Sequence, residues 1–263
     1  MTINLLYHDV TSPGADDSSG FRGPEAARYK LTADEFSRHL DSISASATTS
    51  SLTLSGLQQS NRSGWTITFD DGGVSAATII ADELERRGWR GWFFIATDFI
   101  ETPGFCTRAQ LRDLHQRGHV IGSHSCSHPE RISSCSPAEL QDEWSRSCNV
   151  LADILSSPIV TASVPGGFYS TVVARAAAQA GVQLLFNSEP TTREFLVDDC
   201  RILGRYNIYR GMTASDATRL LTSPLRRWQQ GAFWSAKKAA KTVAGPLYKA
   251  VRKTLLRKAY STS

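Results

Sequence analysis

Two pairs of side chains in the sequence have the chemistry of a metal centre beside a proton acceptor. Asp70 and Asp71 follow an apolar run, and their side chains should point to opposite sides, so one can bind a metal while the other accepts a proton. His124 and His128 share a face if their segment makes a helical turn, and imidazoles at this spacing suit a divalent metal such as zinc. With Asp71 they would form a three-ligand site that leaves a position for water, as in catalytic zinc centres.

Each of these features also has a plain structural interpretation. An Asp-Gly turn is common between a strand and a helix, and histidines are often surface or core residues. The second interpretation is weakened because four of the six histidines lie between 115 and 128. A third segment, residues 163–167, places two glycines after a proline, so its backbone could approach a ligand closely and hold a developing oxyanion with an N–H group. For this segment alone, a tight turn is the simpler interpretation.

The three segments follow apolar runs whose length suits strands, and helix-like segments separate these runs. The predicted strands are 3–7, 65–69, 91–96, 119–122, 159–163, 183–186 and 205–209. The predicted helices are 33–44, 75–87, 107–117, 136–155, 171–180 and 214–221. Capping signals support several helix starts, such as Thr32 with Glu35. The repeated alternation predicts an α/β fold with a parallel sheet, either closed or doubly wound, with a Ser- and Thr-rich loop at 45–63.

Charge is distributed unevenly along the 263 residues. Residues 225–263 hold ten basic side chains and no acidic one. Subtracting these from the 29 basic residues of the chain leaves 19 basic and 25 acidic residues in 1–224, a net charge of −6. A mildly acidic body argues against nucleic-acid binding, which needs a basic patch on the folded domain. We therefore divide the chain into a body, 1–222, and a basic tail, 223–263.

The tail has the pattern of one or two helices broken near 245–246. Over 247–258, apolar residues fall on one side and most Lys and Arg residues on the other, with Trp228, Phe233 and Trp234 upstream. Such a basic amphipathic segment predicts peripheral contact with an anionic membrane, and a solvated extension is the alternative.

The sequence also bears on the cellular compartment. Its first residues have no basic region followed by a long apolar stretch, so we expect no secretory signal. No run of about 18 apolar residues predicts a membrane span. The five cysteines are odd in number and form no CxxC pair, which favours a reduced, cytoplasmic protein, with peripheral contact at the inner membrane face.

The motifs together resemble the polysaccharide deacetylase family, which is carbohydrate esterase family 4 with its NodB-homology domain. The family motif TFDDG stands at 68–72 and the motif HSxxH at 124–128, both without change. The spacer 111–122 and the opening Leu-Tyr-His at 6–8 are also similar to the family. The resemblance covers roughly residues 3–190 and makes 1–222 a deacetylase catalytic domain.

This resemblance implies a fold and a set of roles. The fold would be a distorted (β/α)7 barrel with its site at the carboxyl ends of the strands, as in other β/α barrels. Asp70 would be the general base. Asp71, His124 and His128 would bind Zn²⁺ or another divalent transition metal. Gly166 stands where the family has an aromatic residue after proline, so its N–H is the candidate oxyanion donor.

The sequence departs from the family at two catalytic positions. Ser163 stands where the family has an arginine that orients the catalytic aspartate, and Arg205 could serve instead. No histidine follows His128, so the family's general acid is absent from its usual position. We expect His8 or Glu189 to take that role, and the alternative for His8 is a packing residue.

The predicted function is metal-dependent hydrolysis of N-acetyl groups on an amino-sugar-containing polysaccharide or its precursor. One alternative is a deacylase or deformylase that acts on a lipid-linked sugar at the cytoplasmic membrane face. Another is a catalytically silent glycan-binding module, which the missing arginine and histidine would suggest. The expected partners are an N-acetylated glycan or lipid-linked sugar and, through the tail, a membrane surface, but no nucleic acid.

Overall fold

A curled nine-stranded sheet forms the centre of the computed structural model, which describes residues 1–59 and 63–237. The strands are β1 Thr2–Tyr7, β2 Val10–Thr11, β3 Leu31–Thr32, β4 Gly64–Phe69, β5 Trp92–Ile95, β6 Val120–Ser123, β7 Thr161–Ser163, β8 Leu184–Phe186, β9 Phe195–Val197, β10 Cys200–Leu203 and β11 Tyr206–Asn207. The strand order is β11-β1-β4-β5-β6-β7-β8-β10-β9, and β2 and β3 form a separate pair. All neighbours in the large sheet are parallel except β9 and β10.

The two ends of the parallel part of this sheet, β11 and β10, are connected directly by the chain. β10 pairs with β8 and β11 pairs with β1, yet only Gly204 and Arg205 separate β10 from β11. The Asn4 side chain on β1 donates a hydrogen bond to the Gly204 carbonyl (2.9 Å) across this junction. Counting β10 and β11 as one position gives seven parallel positions around a closed curve, which confirms the predicted distorted (β/α)7 barrel.

Helices cover the outside of the barrel. They are α1 Pro24–Ala27, α2 Ala33–Ser46, α3 Leu54–Gln58, α4 Ala81–Glu85, α5 Arg108–Gln116, α6 Pro137–Leu155, α7 Thr171–Gln179 and α8 Ala214–Thr222, and a π-helical stretch, Ala76–Ile80, leads into α4. Capping boxes begin four of them, including the predicted Thr32–Glu35 box of α2. The six predicted helices are confirmed to within a few residues. The segment 45–63, predicted as a loop, also contains the end of α2 and the short α3.

Some predicted elements differ from the observed ones. The strand expected at 205–209 is only two residues long, because Arg205 belongs to the junction between β10 and β11. The β9–β10 hairpin was not predicted. Its strands have three and four residues, too few to show a periodic pattern, and Asp198 turns the chain with a positive φ of 51°.

The core consists of strand side chains packed against the inner faces of the helices. Trp92 is fully buried, and Trp89 packs edge-to-face against Trp65 with ring centroids 4.8 Å apart, as expected for packing residues. All five cysteines lie in the described ranges and are free.

The first part of the predicted tail is helical over 224–237. The amphipathic pattern predicted over 247–258 lies outside the described residues. Within the part of the chain that the structure describes, no helix has the length and apolar character needed to cross a membrane.

Candidate functional site

Four of the predicted site residues come together at the carboxyl ends of β4 and β6. Asp70 and Asp71 directly follow β4, and His124 directly follows β6. His128 returns to the site at the end of a loop, so that the two imidazole centroids lie 5.0 Å apart. Because parallel strands end at the same rim of the barrel, residues far apart in sequence become neighbours.

The segment between the two histidines does not form the helical turn in which they would share a face. The segment from His124 to His128 is a bend, in which Ser125 and His128 have positive φ values of 62° and 52°. The spacing of four residues brings the rings together by a different backbone path.

The geometry of Asp71, His124 and His128 fits a divalent metal ion. Asp71 Oδ1 lies 3.5 Å from Nε2 of His124 and 3.5 Å from Nε2 of His128. The three ligand atoms all lie within 4.8 Å of one another. Tetrahedral zinc, with bonds of about 2.1 Å to nitrogen and oxygen, separates its ligands by roughly 3.4 Å. The carboxylate and imidazoles therefore stand near ligand spacing.

Burial and neighbouring charges shift the pKa values of these three groups in different directions. Burial raises the pKa of Asp71, but a hydrogen bond from His124 and the nearby imidazole charges of His8, His128 and His124 outweigh it and hold the pKa below its usual range. Burial is the main reason that the pKa of His128 is lowered, which leaves a neutral imidazole. Burial also disfavours the charged form of His124, but Asp70 and Asp71 reverse this and raise its pKa. A proton on His124 would therefore compete with a metal ion.

Asp70 is held by a fully buried arginine. Arg205 donates two parallel hydrogen bonds to the Asp70 carboxylate, both 2.7 Å long. The same guanidinium donates to the Asn187 carbonyl (3.0 Å) and to Thr68 Oγ1 (3.2 Å), which fixes its plane. Sequence analysis offered Arg205 as a substitute for the family arginine, and closure of the barrel brings its guanidinium to the Asp70 carboxylate.

The electrostatics favour an ionised Asp70. Burial raises the pKa of this carboxyl, whereas the charge of Arg205 and that of His124 lower it, and the net pKa is below the usual range. Asp70 is thus a carboxylate at neutral pH and has the form that a general base requires.

Ser163 joins Asp70 to His124. Its hydroxyl donates to Asp70 Oδ1 (3.0 Å) and lies 2.6 Å from His124 Nδ1. The same imidazole nitrogen lies 3.0 Å from the Ser163 carbonyl oxygen. An Nδ1–H directed at Ser163 leaves the Nε2 lone pair facing Asp71, as a metal ligand requires. Sequence analysis treated Ser163 only as a departure from the family and missed this bridge.

His8 follows β1 at the same end of the barrel. Its ring stacks on Tyr29 with centroids 4.5 Å apart, and Tyr29 packs on Tyr209. Its Nδ1 is buried and has no hydrogen-bond partner among residues 1–59 and 63–237. A charge on His8 lowers the pKa of both Asp70 and Asp71, which reflects its proximity to them. The alternative residue, Glu189, follows β8 by three positions.

Gly166 lies in a short 3-10 turn, Pro165–Gly167, just after β7. Its φ of 60° is in the left-handed region, which glycine adopts without strain. A Cβ at this position would lie 3.2 Å from the ring of Phe168. The turn starts two residues after Ser163, so it belongs to the same rim.

Two residues that sequence analysis did not single out shape the site. Glu143 of α6 accepts hydrogen bonds from the backbone N–H groups of Cys126 (2.8 Å) and Ser127 (2.9 Å), and so orders the bend between the histidines. An acidic residue on the buried face of an amphipathic helix was the available signal. The Phe21 ring packs on His128 with centroids 4.7 Å apart, and no sequence pattern marks this long-range contact.

Comparisons with known proteins agree with this architecture and these motifs. Residues 58–185 match the profile of the polysaccharide deacetylase family. YxkH of Bacillus subtilis, whose name describes it as a polysaccharide deacetylase, is 27% identical to this chain over 124 residues. These residues cover 47% of this chain and 44% of that relative. The chain thus aligns with less than half the length of this curated relative.

Solved structures share the fold. A deacetylase of Streptococcus pyogenes, PplD, superposes with a TM-score of 0.70 at 16% identity, covering 84% of this chain and 97% of that one. A de-N-acetylase of Aggregatibacter actinomycetemcomitans superposes with a TM-score of 0.68 at 18% identity, covering 84% of this chain and 99% of that one. IcaB of Ammonifex degensii superposes with a TM-score of 0.64 at 17% identity, covering 84% of this chain and 97% of that one. The fold and the motif residues define a (β/α)7 barrel of the NodB type. Residues 58–185 are similar to the polysaccharide deacetylase family.

Proposed function

We propose that this protein is a metal-dependent hydrolase that removes N-acetyl groups from an amino-sugar-containing polysaccharide or its precursor. The family indicates a hydrolase of amide bonds. The observation that carries the proposal is the ionised Asp70, held by Arg205 beside three potential metal ligands. A glycan-binding module without activity would gain nothing from this buried pair of charges, whose desolvation is costly.

Asp71, His124 and His128 are the residues that would hold the metal, and zinc suits their oxygen and nitrogen atoms. A divalent ion there would polarise the acetamide carbonyl and lower the pKa of a water molecule. Replacement of the carboxylate in Asp71→Asn removes the anionic ligand, so zinc affinity should fall by more than about 100-fold in competition with a chromogenic chelator. The exposed Asp82→Asn is the control and should bind zinc like the wild type.

In the proposed reaction, Asp70 accepts a proton from the water that attacks the acetamide carbon. Arg205 keeps the carboxylate ionised, and Ser163 fixes its orientation. The backbone N–H of Gly166 is the proposed donor to the developing oxyanion. The C–N bond then breaks, acetate leaves, and the amine of the sugar takes up a proton.

His8 is the proposed donor of that proton. It lies at the end of β1 near both aspartates, and its buried Nδ1 has no partner in the described part of the chain. Stacking on Tyr29 would hold the ring in place. Turnover in His8→Ala should fall, and the basic limb of the pH–rate profile should change. Turnover at the wild-type level across the whole pH range would exclude His8 and leave Glu189 as the candidate.

The decisive experiment is acetate release from a panel of N-acetylated glycans and lipid-linked sugars, with zinc added or chelated. Release that needs both the metal and Asp70, tested with Asp70→Asn, is the expected result. A parallel assay for formate distinguishes a deformylase. If no acyl group is released but a glycan binds, the hydrolase proposal is wrong and the binding-module alternative is supported.

A further inference from the structure

The helix over 224–237 presents an apolar face that the rest of the described chain does not cover. Leu225 is 63% exposed, and Trp228 and Phe233 are each 69% exposed. At 100° per residue these three side chains fall within an arc of about 140°, together with Ala232. Large aromatic residues so exposed are unusual on a soluble surface and mark an interaction site when they cluster.

The opposite face of this helix is firmly attached to the barrel. The Gln230 side chain accepts a hydrogen bond from the Asn207 N–H (3.1 Å) and donates one to the Asn207 carbonyl (2.9 Å). Arg227 is buried and donates to the carbonyls of Leu220 and Leu221 at the end of α8. The exposed face is therefore a property of the folded body and is oriented by it.

The attachment point places the helix at the rim that carries the candidate site. Asn207 is the last residue of β11 and lies two positions after Arg205, whose guanidinium holds Asp70. Its strand partner is Leu6, near the carboxyl end of β1, where His8 follows. Phe195 and Leu196, two further exposed apolar residues, lie on β9, where Phe195 pairs with Ile202 near the end of β10. Exposed apolar groups thus border the mouth of the barrel.

Charge indicates the nature of the partner. Arg226 pairs with Asp216 (3.2 Å) and Arg227 is buried, so these two are already engaged. Beyond the helix 224–237, which itself ends on Lys237, the sequence has seven basic residues and no acidic one, at Lys238, Lys241, Lys249, Arg252, Lys253, Arg257 and Lys258. An apolar face with Trp and Phe, followed by concentrated positive charge, complements an anionic lipid surface, where aromatic rings enter the interface and basic groups meet lipid phosphates.

We propose that the face formed by Leu225, Trp228 and Phe233 docks on an anionic lipid surface, assisted by the basic residues that follow. Docking in this orientation brings the mouth of the barrel close to the membrane. If the proposed deacetylase function is correct, the substrate class that this geometry favours is a glycan carried on a lipid or assembled at the membrane surface.

The test is co-sedimentation of the full-length protein with vesicles of phosphatidylcholine alone or mixed with phosphatidylglycerol, without any glycan present. The wild type should bind the anionic vesicles and lose binding as salt is raised. The triple variant L225S/W228S/F233S should lower the partition coefficient by at least about tenfold, because the apolar contact is lost. Glutamine at the seven basic positions should remove the salt dependence.

A matched control keeps these results interpretable. Val172→Ser changes an apolar residue of α7 that is 50% exposed and should leave vesicle binding unchanged. The circular dichroism spectrum and zinc affinity of the triple variant should match the wild type, since the three side chains lie outside the core. Wild-type binding by the triple variant would overturn the proposal, as would equal binding to neutral and anionic vesicles.

Two other occupants of the face give different results. A second copy would appear as a concentration-dependent dimer in sedimentation velocity that the triple variant abolishes, with vesicle binding unaffected. Coverage by the remainder of the chain would leave vesicle binding the same or stronger in the triple variant. Either result contradicts lipid docking, and neither bears on deacetylation, because the assay contains no substrate.

Discussion

The carboxylate of Asp70 depends on two side chains that reach it from different strands. Arg205, from the β10–β11 junction, supplies charge and a bidentate contact, and Ser163, from β7, supplies a hydroxyl that also meets His124. In the family pattern the position of Ser163 holds the arginine. In this chain the positive charge beside Asp70 instead comes from Arg205, at the β10–β11 junction.

Removal of Arg205 should change the pH dependence of catalysis in a predictable direction. Burial raises the pKa of Asp70 and the charge of Arg205 lowers it, so Arg205→Met should raise this pKa. The acidic limb of the kcat/KM profile should then move to higher pH, and kcat/KM at neutral pH should fall by roughly 100-fold. Arg205→Lys keeps the charge and should shift the limb less. An unmoved limb in Arg205→Met would show that Arg205 does not set the ionisation of Asp70.

Hydrogen bonds between elements determine the path of the loop that carries the second histidine. Glu143 lies on the buried face of α6 and accepts from two N–H groups of the bend after β6. Without this carboxylate, the buried N–H of Cys126 and the partly buried N–H of Ser127 would lose their acceptor.

Glu143→Ala should therefore destabilise both the fold and the metal site. An unsatisfied buried donor costs about 1–3 kcal/mol, so the free energy of unfolding should fall by about this amount in urea titrations. Zinc affinity should fall with it, because His128 loses its fixed position. Asp142→Ala, an exposed neighbour on the same helix, should change stability by less than about 0.5 kcal/mol. Equal effects of the two variants would contradict this role.

A buried histidine between elements should make stability depend on pH. His119 Nδ1 accepts from the Gly91 N–H (3.0 Å) and Nε2 donates to Glu85 (2.9 Å), so the neutral ring satisfies both partners. Burial lowers the pKa of His119 more than Glu85 raises it. The unfolded chain therefore binds a proton that the folded chain resists, and this contribution to stability is lost as the pH falls below about 6.5.

The variant His119→Gln cannot take up this proton but keeps a donor and an acceptor. As the pH is lowered from about 7 to about 5, the free energy of unfolding of this variant should decrease less steeply than that of the wild type. The difference between the two slopes should be up to roughly 1.4 kcal/mol per pH unit. Parallel curves for the two proteins, measured by urea denaturation at several pH values, would show that His119 does not carry the dependence.

Over the whole molecule, barrel closure brings the candidate site residues together. The junction at Gly204 and Arg205 connects the two edges of the sheet, and five strand positions contribute residues to one rim. The net charge of +4 is likewise the sum of an acidic body and a basic C-terminal region. The body carries the site, and the basic region carries the charge that we assign to membrane attraction.

Closure requires a glycine at position 204. A Cβ there would lie 2.5 Å from the backbone oxygens of both Glu189 and Thr191, which cannot move without displacing the junction. Gly204→Ala should lower the free energy of unfolding by roughly 1–3 kcal/mol and reduce activity, because Arg205 moves with the backbone. Gly231→Ala meets only an ordinary contact of 3.5 Å inside a helix and should be neutral or slightly stabilising. Similar thermal midpoints for both variants would contradict the argument.

The strands, helices and caps were largely predictable because they depend on short-range patterns. The capping boxes of α2 and α6 need residues only three positions apart, and apolar runs of four to six residues identify the main strands. The β9–β10 hairpin escaped because its strands are too short for such a pattern. A helical turn between the histidines, which would have placed them on one face, does not form, because hydrogen bonds to Glu143 on another element order the bend.

By itself, the sequence determined an α/β fold with a parallel sheet, the motif residues Asp70, Asp71, His124 and His128, and the uneven distribution of charge, whereas the (β/α)7 class was implied by the resemblance to the deacetylase family. These follow from local periodicity and from motifs a few residues long. The tertiary structure decided how Asp70 is held, because Arg205 is 135 positions away and reaches it only when the barrel closes. It also decided which side of the helix 224–237 is exposed, because the hydrogen bonds of Arg227 and Gln230 turn the other side to the body.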